Sequence, residues 1–159
     1  AALAGHRECH ELGGTGTLDG GDVLIVDRRC WIGVSSRTDV AGAEWLASRL
    51  SGWGYDCTLV PVGAGLHLKS SVNGVGGRTL LVSEDLAGRP EFAGWDLLTV
   101  PGGEEYAGNT LWINGTLLTP AGFPGTRALL DGLDLPVIEL EVSEYRKLDG
   151  GLTCLSLRF

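Results

Sequence analysis

Asp19, Arg37, His67 and Cys154 are the side chains whose types and settings could carry chemistry along this 159-residue chain. Cys154 sits in Asp149-Gly150-Gly151-Leu152-Thr153-Cys154-Leu155-Ser156-Leu157-Arg158-Phe159, which reads as a glycine-hinged turn entering a short apolar strand. A cysteine there is either a small apolar filler of a buried strand or a thiolate nucleophile activated by partners from upstream. His67, in Gly65-Leu66-His67-Leu68-Lys69-Ser70-Ser71, opens a predicted strand whose alternation puts His67 and Lys69 on one face. Imidazole, with an ordinary pKa near ~6.5, can take and return a proton at neutral pH. A structural histidine is the plainer alternative. Asp19 lies in Thr17-Leu18-Asp19-Gly20-Gly21-Asp22, where two glycines allow a turn tight enough to aim a carboxylate inward; an ordinary Asp-Gly turn fits the same residues. Asp22 opens an apolar strand, so its carboxylate should accept backbone hydrogen bonds and act as structural support. Arg37, in Gly33-Val34-Ser35-Ser36-Arg37-Thr38, stands at a strand-to-helix junction with a planar fork suited to a carboxylate, or is a surface arginine.

The elements that must position these groups recur. Residues 1–12 read as the tail of a helix followed by a strand at Cys9–Leu12. Asp22–Val26 and Cys30–Val34 form a predicted hairpin of branched, apolar strands. Thr38 or Asp39 caps a helix over Val40–Leu50, which Gly52 and Gly54 stop, and Cys57–Pro61 is a third strand. The pattern returns as a hairpin of His67–Val72 and Thr79–Ser83, a short helix near Glu91 and a strand at Asp96–Val100. It returns again as Thr110–Asn114 and Thr116–Thr119 joined at Asn114-Gly115, a helix from Thr126 to Gly132 and a strand at Pro136–Glu141. Three ββαβ units at a period of about 45 residues indicate a repeat architecture whose modules stack around a common axis. The last strand, with Cys154, has no helix of its own and should complete a module begun elsewhere.

Composition narrows the function classes. The length suits a single domain with a proper core. A net charge of −8 speaks against nucleic acid as a partner and suits a small cationic ligand. No apolar run reaches the length of a membrane span and no secretory signal opens the chain, so the expectation is a cytoplasmic protein. Glycine, at 26 residues, is far above the usual ~7% and lies between apolar runs, as many tight turns require. There is no methionine, and the chain reads as processed or as a fragment. Cys9, Cys30, Cys57 and Cys154 form no CxxC pair and suggest no disulfide framework. His6, Cys9 and His10 supply too few ligands for a tetrahedral metal cage.

Taken together, Thr17–Leu24, Gly33–Thr38, Gly65–Ser70 and Glu144–Phe159 resemble the dimethylarginine dimethylaminohydrolases, members of the pentein or guanidino-group modifying superfamily. The resemblance runs nearly end to end and keeps the motifs in order. It implies an α/β fold, a propeller-like ring of five ββαβ modules, of which about three and a closing strand are present. The chain would then be one catalytic domain, residues 1–159, without its N-terminal modules. The resemblance also implies hydrolysis of N-omega-methylated arginines to citrulline and an amine, within arginine metabolism and nitric oxide regulation, with no cofactor and no metal. Cys154 matches the nucleophile, His67 the general acid/base and Asp19 the carboxylate that orients the guanidinium. Arg37 matches the grip on the substrate α-carboxylate, and Leu148 the residue whose backbone carbonyl contacts substrate. The implied partner is a small methylated arginine, without nucleic acid or membrane, and a homodimer is compatible with such a chain. Further substrate-binding residues of the family lie on the absent modules, so the 159 residues alone are expected to be inactive or poorly folded.

An arginine deiminase acting on unmethylated guanidines is the enzymatic alternative. Deiminases usually have Glu where Asp19 stands and a second acid two positions after the histidine. Here that position is Lys69, which cannot pair with a guanidinium. A non-catalytic pentein-fold binding protein, such as a ribosome anti-association factor, is the alternative from another class, but would not need cysteine, histidine and carboxylate together.

Overall fold

The computed structural model describes residues 5–63 and 67–156. The first module pairs β1 (Val23–Val26) with β2 (Arg29–Val34) as an antiparallel hairpin. The chain then crosses through α1 (Val40–Gly52) to lay β3 (Asp56–Pro61) parallel to β2, with Ile32 opposite Leu59. The second module repeats this with β4 (Val72–Gly74), β5 (Thr79–Val82) and β6 (Asp96–Thr99), and the third with β7 (Leu111–Ile113), β8 (Thr116–Pro120), α2 (Pro124–Asp131) and β9 (Val137–Leu140). A short α3 (Ser143–Arg146) leads to the cysteine. The fold is mixed α/β, with three three-stranded sheets among the described residues.

Local chemistry accounts for these elements. The β1 and β2 strands are branched and apolar, with Cys30, Trp31 and Ile32 fully buried. Asp39 caps α1 by accepting the Gly42 amide at 2.7 Å. The β7–β8 hairpin turns through Asn114 and Gly115, both at positive φ, as the Asn-Gly pair requires.

Apolar packing joins neighbouring modules. Trp31, Leu24 and Val60 of the first meet Leu68, Leu80 and Phe92 of the second in one core. Val75, Leu81 and Val100 meet Leu117 and Leu130 of the third in another. Trp31 also donates its indole N–H to the Glu91 carbonyl at 2.8 Å, tying the first sheet to the second module.

Several expectations fail here for physical reasons. Cys9–Leu12 forms no strand; its side chains remain largely exposed, so no apolar face gains by pairing. The expected helix at Ala1–Ala4 lies outside the described residues. The helix near Glu91 is replaced by two 3-10 turns, Glu84–Leu86 and Pro90–Phe92, since proline disfavours a helical residue before it. His67 does not open a strand: Leu68–Ser70 is a 3-10 turn, and pairing starts only at Val72. The Leu68 N–H goes to the Asp22 carboxylate rather than to a sheet. Cys154 also lies in a turn, not a strand. Its N–H closes back on the Gly151 carbonyl at 3.0 Å, and no described strand pairs with it. Residues 64–66 and 157–159, which the sequence reading used at the histidine and cysteine segments, lie outside the described residues.

Candidate active site

The site begins at Asp22, fully buried at the start of β1. One carboxylate oxygen accepts the hydroxyls of Ser35 and Thr38, each at 2.7 Å; the other accepts the Leu68 amide at 2.9 Å. Both oxygens are thus satisfied, as a buried carboxylate requires. Ser35 in turn accepts the amides of Arg37 at 3.0 Å and Thr38 at 3.2 Å, while the Asp19 amide donates to the Thr38 oxygen at 3.0 Å. One buried acid therefore gathers the Asp19 turn, the Arg37 loop and the His67 turn.

Asp19 caps a 3-10 turn over Gly20–Asp22, its Oδ1 accepting the Gly21 amide at 2.8 Å. Its Oδ2 is 3.3 Å from His67 Nε2 and 3.9 Å from Arg37 Nη1. The Gly21 amide, with smaller help from His67 and Arg37, holds the Asp19 carboxyl below its ordinary range against the opposing effect of burial. The histidine ring lies flat on this turn: a Cβ on Gly21 would stand 2.5 Å from it.

Asp19, His67, Lys69 and Cys154 line one cavity of about 990 Å³, walled by β1, Asn73–Gly74 and Thr110–Trp112. Cys154 is exposed, available to a ligand entering there. Lys69 is half-buried in the same wall, and loss of water pushes its ammonium below the ordinary lysine range, against the opposing pull of nearby acidic groups such as Asp19 and Asp22. A thiol, an imidazole, an amine and a carboxylate therefore share one volume.

Not every expected residue lies there. Arg37 reaches Asp19 from outside the cavity lining, with half its side chain in solvent. Leu148 is 86% exposed and lines no part of the cavity. Among the described residues no three of His, Cys, Asp and Glu converge as a metal cluster, and no helix is long and apolar enough to cross a membrane. Sequence reasoning missed Asn73, Asn109 and Thr153, which join the two turns that carry His67 and Cys154. Asn73 reads as a turn residue and Asn109 precedes a strand; their spacing to the turns carries no motif.

Modules of two antiparallel strands and a parallel third, set round one cavity, make a pentein-type fold, which this chain shares with solved dimethylarginine dimethylaminohydrolases. Curated relatives to which the chain is similar include dimethylarginine dimethylaminohydrolases. That of Pseudomonas aeruginosa is 38% identical over 144 residues, covering 91% of this chain and 57% of the relative. Its namesake in Streptomyces coelicolor is 35% identical over 144 residues, covering 90% of this chain and 55% of the relative. The chain thus spans little more than half the length of these curated relatives. A solved Pseudomonas aeruginosa structure, a cysteine-to-serine variant complexed with citrulline, superposes with a TM-score of 0.89 at 36% identity, covering 93% of this chain and 58% of that one. A histidine-to-glycine variant of a dimethylarginine dimethylaminohydrolase, an adduct with S-methyl-L-thiocitrulline, gives 0.88 at 36% identity, with 93% and 58% covered. An amidinotransferase from Microseira wollei, at 18% identity and TM-score 0.75 over 87% of this chain and 46% of that one, shares the fold alone. A family model described as arginine deiminase matches residues 4–58, ending before His67, Lys69 and Cys154.

Proposed function

We propose that the protein hydrolyses N-omega-methylated arginines, asymmetric dimethylarginine and monomethylarginine, to citrulline and dimethylamine or methylamine. The convergence of Cys154, His67 and Asp19 on one cavity carries this reading. A guanidinium is resonance-stabilised and resists water, so a covalent route divides the work. Asp19, kept ionised, pairs with the guanidinium and fixes its orientation. The Cys154 thiolate adds to the central guanidinium carbon. His67 protonates the methylated nitrogen, the C–N bond breaks and the amine leaves a thiouronium-type adduct. His67 then takes a proton from water, whose oxygen adds to the same carbon; the C–S bond breaks, returning the thiolate and releasing citrulline.

Arg37 is proposed to grip the substrate α-carboxylate, and the Leu148 carbonyl to contact substrate. Four free cysteines support a reducing compartment, the cytoplasm. The greater length of the relatives supports a ring with further modules beyond these 159 residues. Lys69, a cation in the cavity wall, favours a methylated guanidine over arginine itself, which a deiminase would bind through a second acid.

The test is citrulline release by the intact protein from asymmetric dimethylarginine, monomethylarginine and arginine. Turnover of the methylated substrates, lost in Cys154→Ser, is the expected result. Faster turnover of arginine would replace the methylated substrate with the deiminase reaction, and full activity in Cys154→Ser would overturn the mechanism.

A further inference from the structure

Two turns carry the proposed chemistry, and neither is part of a described strand. The His67 turn is fastened at one end by Asp22, through the Leu68 amide. Its other end is the Lys69 carbonyl, which accepts the Asn73 side-chain amide at 2.7 Å and that of Asn109 at 3.4 Å. Asn73 also donates to the Gly108 carbonyl at 2.7 Å, drawing the start of the third module against the second. Asn109, only 6% exposed, turns its Oδ1 the other way and accepts the Thr153 amide at 2.9 Å, one residue before Cys154. A single carboxamide thus touches the turn of the proton carrier and the turn of the nucleophile.

The surroundings are built for this contact. Gly151 lies face-on to the Asn109 carboxamide; a Cβ there would stand 2.5 Å from its Cγ. Tyr106, on the same segment as Asn109, donates its hydroxyl to the Gly150 carbonyl at 2.6 Å, so the cysteine turn is fixed on both sides of that glycine. An asparagine fits where one oxygen must accept and one nitrogen must donate in opposite directions.

We propose that Asn109 is a positioning residue that sets the distance between Cys154 and His67, acting through the Thr153 amide and the Lys69 carbonyl without touching substrate. This inference rests on the reading above for its kinetic consequence. Both transfers in that reaction need the thiolate and the imidazole on the same carbon, and a displacement of about 1 Å can cost about 100-fold in rate. Substrate binding, carried by Asp19 and the cavity wall, should change far less.

Three variants of the intact protein test it by two readouts: amide hydrogen exchange at Thr153, and kcat and KM for citrulline release from asymmetric dimethylarginine. Asn109→Ala should expose the Thr153 amide to exchange and lower kcat about 100-fold, with KM within about threefold of wild type. Asn109→Asp keeps the acceptor for Thr153 and loses the donor to Lys69. It should retain Thr153 protection and lose about tenfold in kcat. Gly151→Ala, which pushes the carboxamide aside, should reproduce the Asn109→Ala kinetics. A folded Asn109→Ala enzyme with kcat within about threefold of wild type would overturn the proposal, as would a uniform loss of kcat, substrate affinity and thermal stability in all three. If Asn109→Ala does not fold, Asn109→Asp decides, and wild-type kcat there overturns it. A wild-type protein that makes no citrulline would remove the functional reading alone. The clamp would still be judged by exchange, with rapid wild-type exchange at Thr153 overturning it and protection lost in Asn109→Ala supporting it.

Discussion

Gly21 is a glycine because the His67 ring occupies the place of its side chain. Gly21→Ala should therefore lower kcat about 100-fold by displacing the imidazole from Asp19, with a small change in melting temperature; citrulline kinetics beside a thermal melt would check this. Asp22 is the costlier residue for the fold. Asp22→Ala removes the acceptor of the Leu68 amide and two hydroxyls. The hydroxyls can turn to new partners, while the buried amide is left unpaired, so the loss should be about 3 kcal/mol in a urea titration. Asp19 has a pH signature of fixed sign. Its carboxyl is held below the ordinary range when folded, so on acidification the unfolded chain takes up this proton first. Its contribution to stability is then complete above about pH 4 and is lost as pH falls through the lowered folded value. Asp19→Asn should flatten that part of the acid-unfolding curve, and an unchanged slope would contradict the assignment. Burial pushes the Cys30 thiol up to about 12, so a thiol reagent at neutral pH should mark Cys154 and spare Cys30.

At the scale of elements, hairpins and crossovers were legible where local residues decide them. The β1, β2 and β3 strands follow from branched apolar runs, α1 from the Asp39 cap, and the β7–β8 turn from Asn114-Gly115. Removal of the cap in Asp39→Ala should cost about 1 kcal/mol, read as a lower melting temperature. The His67 and Cys154 segments were not legible as turns. Both have strand-like alternation, yet distant residues capture their backbone groups: Asp22 takes the Leu68 amide, and Asn109 takes the Thr153 amide. A pattern read over a few neighbours carries no trace of a partner 44 or 46 residues away. The candidate site shows the same division. Asp19, His67 and Cys154 were visible as residue types in telling settings and meet in one cavity, whereas Asn73 and Asn109, which join the turns, gave no signal. Leu148 came from resemblance alone and stands exposed away from the cavity.

Over the whole molecule, the modules are welded by apolar cores that cross their boundaries, and the cavity lies where all three contribute a wall. The cavity is therefore a property of the three modules together rather than of one. The 159 residues by themselves should release citrulline far more slowly than a chain of the relatives' full length, a comparison of two rates at equal protein concentration. The central claim is that Cys154 becomes bonded to the guanidinium carbon of the substrate. Mass spectrometry of the Cys154 peptide, from intact protein mixed with asymmetric dimethylarginine and quenched in acid during turnover, tests this most directly. The account predicts an adduct on Cys154 equal to the substrate less dimethylamine, and no adduct in Cys154→Ser. Citrulline forming steadily over a Cys154 that stays unmodified at every quench time would contradict it.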